Sequence, residues 1–228
     1  MKSVLHLFNL FYPNNCVCCY QNLVDQEKII CINCRIDLPF VDNGDFESNP
    51  LTQILEGRVP IENGASFLYY HPFGKVKQLM HQLKYKNNQE VGTFLGNWFA
   101  HSLLESKNFN TIDYIIPVPL HQKKLRKRGY NQLTKFGESL SRVLQIPFLK
   151  DVLIRTYDTK TQTGKKRLER FANIDTKFSL SKAETINNKH LLLIDDVITT
   201  GATLEACSKE LLKADNVKIS MATIALTE

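Results

Sequence analysis

The chain lacks any run of about 18 consecutive apolar residues, which excludes a transmembrane helix. It has no Gly-x-x-x-x-Gly-Lys-[Ser/Thr] stretch, which argues against a P-loop nucleotide hydrolase. It also has no internal repeat and no low-complexity tract, so it is neither a solenoid nor a tail. Residues 1–13 are apolar, but His6 and Asn9 interrupt them and no small-residue cleavage site follows. That segment reads as a short amphipathic helix carrying Val4, Leu7, Phe8 and Phe11, not as a signal peptide, and the expected location is cytoplasmic. With 228 residues, 43% apolar and 23% charged, the composition is that of a globular protein with one main core and room for a small appendage.

Charge and cysteine are both unevenly spread. Residues 121–170 hold 14 Lys and Arg against 4 Asp and Glu, while the whole chain carries a formal charge of +6. The excess therefore belongs to one segment, which suits either an anionic ligand or a solvated basic face. Five of the six cysteines fall between residues 16 and 34. Cys16/Cys19 and Cys31/Cys34 form two Cys-x-x-Cys pairs. Each spacing lets a tight turn present both thiolates to one metal, and two such turns complete a tetrahedron of soft ligands that selects structural zinc. A disulfide framework does not suit a reducing cytosol. Cys18 is left over, and a set of Cys16, Cys18, Cys31 and Cys34 is a geometrically poorer alternative. Cys207 stands at helical spacing with Leu204, Leu211 and Leu212 and reads as a core thiol.

The rest of the chain alternates strands and helices. Turn residues between 38 and 64 mark a linker into a strand near Ala65–Tyr70. Two amphipathic helices follow, one on Val76, Leu79, Met80 and Leu83, the other on Val91, Phe94, Leu95 and Trp98. Lys84 and Lys86, at the end of the first, read as its solvated end in preference to a ligand-facing pair. A buried strand spans Asp113–Pro119, a helix Asn131–Leu144, a strand Val152–Thr156, an apolar strand His190–Ile194, a helix Ala202–Leu212 and a last strand Val217–Leu226. This order predicts an α/β fold, a parallel sheet covered on both faces.

The strand at His190–Ile194 leads into the most informative residues. Asp195 and Asp196 arrive together where ligands of open α/β sheets bind, and adjacent carboxylates suit the hydroxyls of a vicinal diol. Thr199, Thr200, Gly201, Ala202 and Thr203 then form a small, hydroxyl-rich turn opening a helix. Its free N–H groups and dipole favour a phosphate, and Gly201 allows close backbone approach. A ribose 5-phosphate satisfies both halves. The bland alternative is a strand followed by a Thr-capped helix.

This stretch resembles the phosphoribosyl pyrophosphate signature of the type I phosphoribosyltransferases. In that fold the loop after the second strand holds pyrophosphate, and here it carries Lys123, Lys124, Arg126, Lys127 and Arg128. Residues 161–170 resemble the loop that closes over substrate. More widely, residues 11–13, the paired cysteines, Leu83–Tyr85, Pro117–Leu120, Arg128–Gln132, Thr161–Gly164, Glu169, Arg170 and Asn173 follow one another as in the ComF family, over essentially the whole chain. Lys165 stands where an apolar residue is common in that family, and Tyr130 where Phe is usual.

The resemblance implies a zinc ribbon in 1–45, a linker in 46–63 and a phosphoribosyltransferase-like domain in 64–228. It makes Asp195, Asp196, Lys165, Arg167 and Arg170 the catalytic set, the aspartates on the ribose hydroxyls and the three cations on the leaving group. It assigns 199–203 to the 5-phosphate and Leu120, His121, Arg126 and Arg128 to pyrophosphate or nucleic acid. Structural zinc, and magnesium with phosphoribosyl pyrophosphate, are the implied cofactors. The implied partners are that sugar phosphate, single-stranded DNA in natural transformation, and proteins of the competence machinery. Tyr130, Phe136, Tyr157 and Phe171 are aromatics near the basic segment, although Phe136 falls on a core face. No acceptor site is recognisable, so binding without turnover and catalysis on an unidentified acceptor both stay open.

Overall fold

The computed structural model describes residues 14–155 and 178–227. The expected N-terminal helix, the 161–170 loop with Lys165, Arg167 and Arg170, and the aromatics Tyr157 and Phe171 lie outside the described residues.

The cysteine-rich segment ends in a one-turn helix, α1 (Ile32–Ile36), whose backbone N–H at Ile32 is taken by the Glu27 carboxylate at 2.7 Å. Turn residues expected to mark a linker instead frame α2 (Pro50–Leu55). Asn49 and Thr52 cap it reciprocally and Pro50 occupies its first turn, which are strong start signals. The strand β1 (Gly64–Tyr70) follows, then α3 (Lys75–Tyr85) and α4 (Glu90–Leu104). Val76, Leu79, Met80 and Leu83 are all buried on α3, as their spacing requires.

Next come β2 (Tyr114–Pro117), α5 (Gln122–Arg128) and α6 (Leu133–Leu144). The basic stretch expected as a loop is thus a helix. The His121 side chain accepts from the Lys123 N–H at its start, and Gly129 stops it with φ +79°. Where α4 and α6 cross, a Cβ on Gly96 would lie 2.7 Å from the Phe136 carbonyl, so only glycine permits that approach.

β3 (Leu153–Arg155) pairs antiparallel with β4 (Phe178–Leu180) in a separate two-stranded sheet, and so corrects the expectation that it joins the parallel one. Ile154 is 47% exposed, and a strand with one wet face suits an antiparallel ribbon. The chain closes with β5 (His190–Ile198), α7 (Ala202–Leu211) and β6 (Lys218–Thr227). The main sheet is parallel, in the order β1-β6-β5-β2. Consecutive residues of β5 and β6 are buried, as covering on both faces demands. Cys207 is fully buried, and burial raises its thiol well above the usual range.

The cysteine segment packs on this core. The Val41 N–H donates to the Phe67 carbonyl, Phe40 meets Phe67 and Trp98 edge-on, and the Arg35 guanidinium lies 4.8 Å from the Trp98 ring.

Candidate functional site

The sulfurs of Cys16, Cys19, Cys31 and Cys34 lie within 4.8 Å of one another. Thiolates around a tetrahedral zinc, at about 2.3 Å each, sit ~3.8 Å apart, so four such sulfurs fit a zinc ribbon. Cys19 and Cys31 are 3.7 Å apart. Burial pushes the Cys16 thiol up, but the backbone N–H groups of Cys19, Cys31 and Cys18 outweigh it and leave the thiol at about 6. Cys18 is not a member. Its thiol donates to the Lys75 carbonyl at 3.8 Å, and burial pushes it up to about 12. The alternative set containing Cys18 is thereby excluded by geometry.

The second candidate site lies at the carboxyl end of the parallel sheet. Asp195 and Asp196 were expected just past the strand, yet β5 continues through them to Ile198, with Asp195 opposite Thr223 of β6. The physical reason is the β-branched pair Val197 and Ile198, which keeps the backbone in the ladder. Both carboxylates are nearly buried and both line a pocket of about 210 Å³. Asp196 accepts from the Gln132 amide at 2.7 Å and pairs with Lys84 at 3.0 Å. Its own N–H donates to the Asp195 carboxylate at 2.8 Å. Burial, then the neighbouring Asp196 charge, pushes Asp195 up to about 8.

Lys84 is therefore not a solvated helix end. The last turn of α3 brings it across the carboxyl end of β5, where an ion pair to a nearly buried carboxylate outweighs hydration of its ammonium. Arg155 lines the same pocket from β3, and sequence reasoning missed it. The available signal was one arginine closing an otherwise apolar strand, Val152–Ile154.

Of the basic residues, Lys124 and Arg128 line the pocket, with Leu120 beside them. Arg128 donates to Gln132 at 2.8 Å, which links it to Asp196 through one amide. Arg126 is exposed and does not line this pocket. On a helix, 124, 127 and 128 share a face that 126 does not. His121 holds the start of α5.

In the threonine turn, Thr203 lines the pocket with the aspartates, and Thr199 lines a neighbouring one. Arg58 braces the turn by donating to the Thr200 carbonyl at 2.5 Å and to Glu205 through Nε at 2.9 Å. Gly201 takes φ +73°, and a Cβ there would lie 2.7 Å from Leu55 and 2.9 Å from Ile54. The close approach that demands glycine is thus that of α2.

This arrangement is that of a phosphoribosyltransferase-type α/β domain, and residues 134–227 match the family described as the phosphoribosyl transferase domain. The chain as a whole is similar to competence protein F of Haemophilus influenzae, 28% identical over 89% of this chain and 93% of that protein. It is also similar to the DNA utilization protein YhgH of Shigella flexneri, 30% identical over 72% of each chain. Competence protein ComFC of Bacillus subtilis is 31% identical over 60% of this chain and 54% of its own length. The chain belongs to the ComF family, with a phosphoribosyltransferase-type domain behind a four-cysteine segment that fits a zinc ribbon. Among the described residues no helix is long and apolar enough to cross a membrane.

Proposed function

We propose that the protein binds phosphoribosyl pyrophosphate at the carboxyl end of its sheet and takes part in handling single-stranded DNA during natural transformation. The observation that carries this reading is one small pocket with a carboxylate pair on its floor and Lys84, Lys124, Arg128 and Arg155 around it. Vicinal ribose hydroxyls match Asp195 and Asp196, and a pyrophosphate matches the cations. Thr199, Thr200, Gly201, Ala202 and Thr203 form the cradle for the 5-phosphate at the opening of α7. The paired carboxylates and the ligand's own phosphates offer the hard oxygens that magnesium takes. Magnesium bound there supplies charge neutralisation of the pyrophosphate.

In the same reading zinc fills the four-cysteine cluster and folds the residues around it as a ribbon within the 1–45 unit, with 46–63 leading into the domain at 64–228. The names of the relatives above, competence and DNA utilization proteins, support the DNA half and partners in the competence machinery. The local excess of positive charge supports it.

The test is calorimetry of the full chain with phosphoribosyl pyrophosphate and magnesium. Saturable heat is expected, weakened about tenfold or more by Asp196→Asn, which keeps the shape but not the charge. Heat that Asp196→Asn leaves unchanged would overturn the assignment.

A second reading, turnover on an unidentified acceptor, is favoured by one feature. A cavity of about 430 Å³ lined by Tyr70, Met80, His81, Tyr85 and Val197 adjoins Asp196 and Lys84, where an acceptor could face the sugar. In that reaction an acceptor lone pair forms the new bond to the ribose C1, the C1–O bond breaks and pyrophosphate leaves. Pyrophosphate released only when a nucleobase or amine is added would decide for it.

A further inference from the structure

A second cationic cavity, of about 490 Å³, opens beside the sugar-phosphate pocket and shares Lys84, Tyr85, Lys124 and Arg128 with it. Lys127 and Tyr130 line this cavity and not the other. Its two walls are the end of α3 and the outward face of α5, where Lys124, Lys127 and Arg128 recur at helical spacing. Among the described residues, no ion pair engages Lys124, Lys127 or Arg128, although ten other lysine or arginine pairs with carboxylates are formed. Cations concentrated in one concavity without acids to neutralise them call for an anion.

The aromatic groups narrow its chemistry. Tyr85 is 63% exposed, and the Arg128 guanidinium lies 5.0 Å from its ring centre. An exposed ring beside a planar cation is a stacking surface for a nucleobase. Tyr130 is anchored by its hydroxyl, which donates to the Leu83 carbonyl, so that side of the cavity is fixed. A phosphate alone has no use for the ring.

We propose that this cavity holds a nucleotide unit of a single-stranded DNA, its base on Tyr85 and its phosphate on Lys124 and Lys127, and that the strand competes with phosphoribosyl pyrophosphate for Lys124 and Arg128. The inference rests on the DNA half of the proposed function. It adds a location, and a reason why the sugar phosphate would regulate DNA release. Occupancy of one pocket withdraws two cations from the other.

The test is fluorescence anisotropy of a dye-labelled oligodeoxythymidylate with the full chain, over a salt series, with phosphoribosyl pyrophosphate calorimetry on the same samples. Lys127→Gln should weaken DNA binding several-fold and reduce the salt slope by about 0.7, the value for one phosphate contact on a single strand. It should leave sugar-phosphate binding unchanged. Tyr85→Ala should weaken DNA binding as well, and saturating phosphoribosyl pyrophosphate with magnesium should displace the oligonucleotide. DNA binding that neither variant alters would overturn the inference while leaving the proposed function standing. No DNA binding by the unaltered chain would overturn both. Displacement by inorganic polyphosphate with no effect of Tyr85→Ala would overturn the nucleotide assignment and reduce the cavity to an anion site.

Discussion

The cysteine cluster and the aspartate pair both concentrate groups that repel one another once ionised, but they are assembled differently. The four sulfurs come from 19 consecutive residues, and within the described residues Cys19 and Cys31 face each other at 3.7 Å. Four thiolates so close together suit a divalent cation that balances their charge. Asp195 and Asp196 draw on α3, α6 and β3 instead. Lys84 and Gln132 hold Asp196 directly, while Asp195 is left with the raised proton affinity of a buried acid. On the proposed reading, one site depends on its ion, and the other is preorganised by its own chain for a ligand.

Breaking the first half of this comparison should have the largest effect. Chelation, or Cys34→Ser, is expected to abolish the metal content and unfold the segment, since apparent binding energies of structural zinc are about 10 kcal/mol or more. The single tryptophan reports it, because Trp98 lies under Arg35 of that segment and against Phe40. Its fluorescence should change on metal loss while the far-ultraviolet signal of the parallel sheet persists. A metal-free protein with unaltered Trp98 emission would mean that the segment stands without its ion.

The second half breaks at Lys84. Lys84→Met removes the only ammonium paired with Asp196 among the described residues and leaves a nearly buried carboxylate with one amide. Because the pair is partly wet, the expected loss is about 2 kcal/mol, below the 3–5 kcal/mol seen for fully buried pairs. Urea unfolding at neutral pH measures it. A change within about 0.5 kcal/mol would mean that Asp196 does not need the lysine, and that preorganisation is not what distinguishes this site.

The same contrast explains what was readable in advance. The cysteines, Asp195, Asp196 and the threonine turn are local patterns whose chemistry follows from spacing, and β1, α3, α4, α6, α7 and β6 follow from periodicity. Lys84 and Arg155 join the candidate site only because the end of α3 and β3 reach the carboxyl edge of β5, and that convergence has no local signature. The α5 helix was legible, since His121 and Gly129 are start and stop signals, but the density of charge drew attention from them. Gly201 is a different lesson. Its turn looks built for a ligand, and yet the contact that forbids a side chain is with Leu55 and Ile54 of α2.

The smallest effect sharpens the comparison by pH. The Asp195 carboxyl is raised to about 8 in the folded protein, mainly by burial and then by Asp196, against an ordinary value of 3.8. Between those values the folded chain holds a proton that the unfolded chain has released, so stability falls as pH rises through the window and levels off above about 8. Each unit of that difference corresponds to about 1.4 kcal/mol. Asp195→Asn removes the titrating group and should flatten this decline, overtaking the unaltered chain in stability near pH 8 while losing affinity for the sugar phosphate. The cysteine cluster predicts the opposite sign, because its metal competes with protons and is held more firmly as pH rises. Melting temperatures of the metal-loaded protein from pH 6 to 9, measured for the unaltered chain and for Asp195→Asn, separate the two. If the curves run parallel, Asp195 is already ionised in the free protein, and the pair is held open by Lys84 and Arg155 in place of a shared proton.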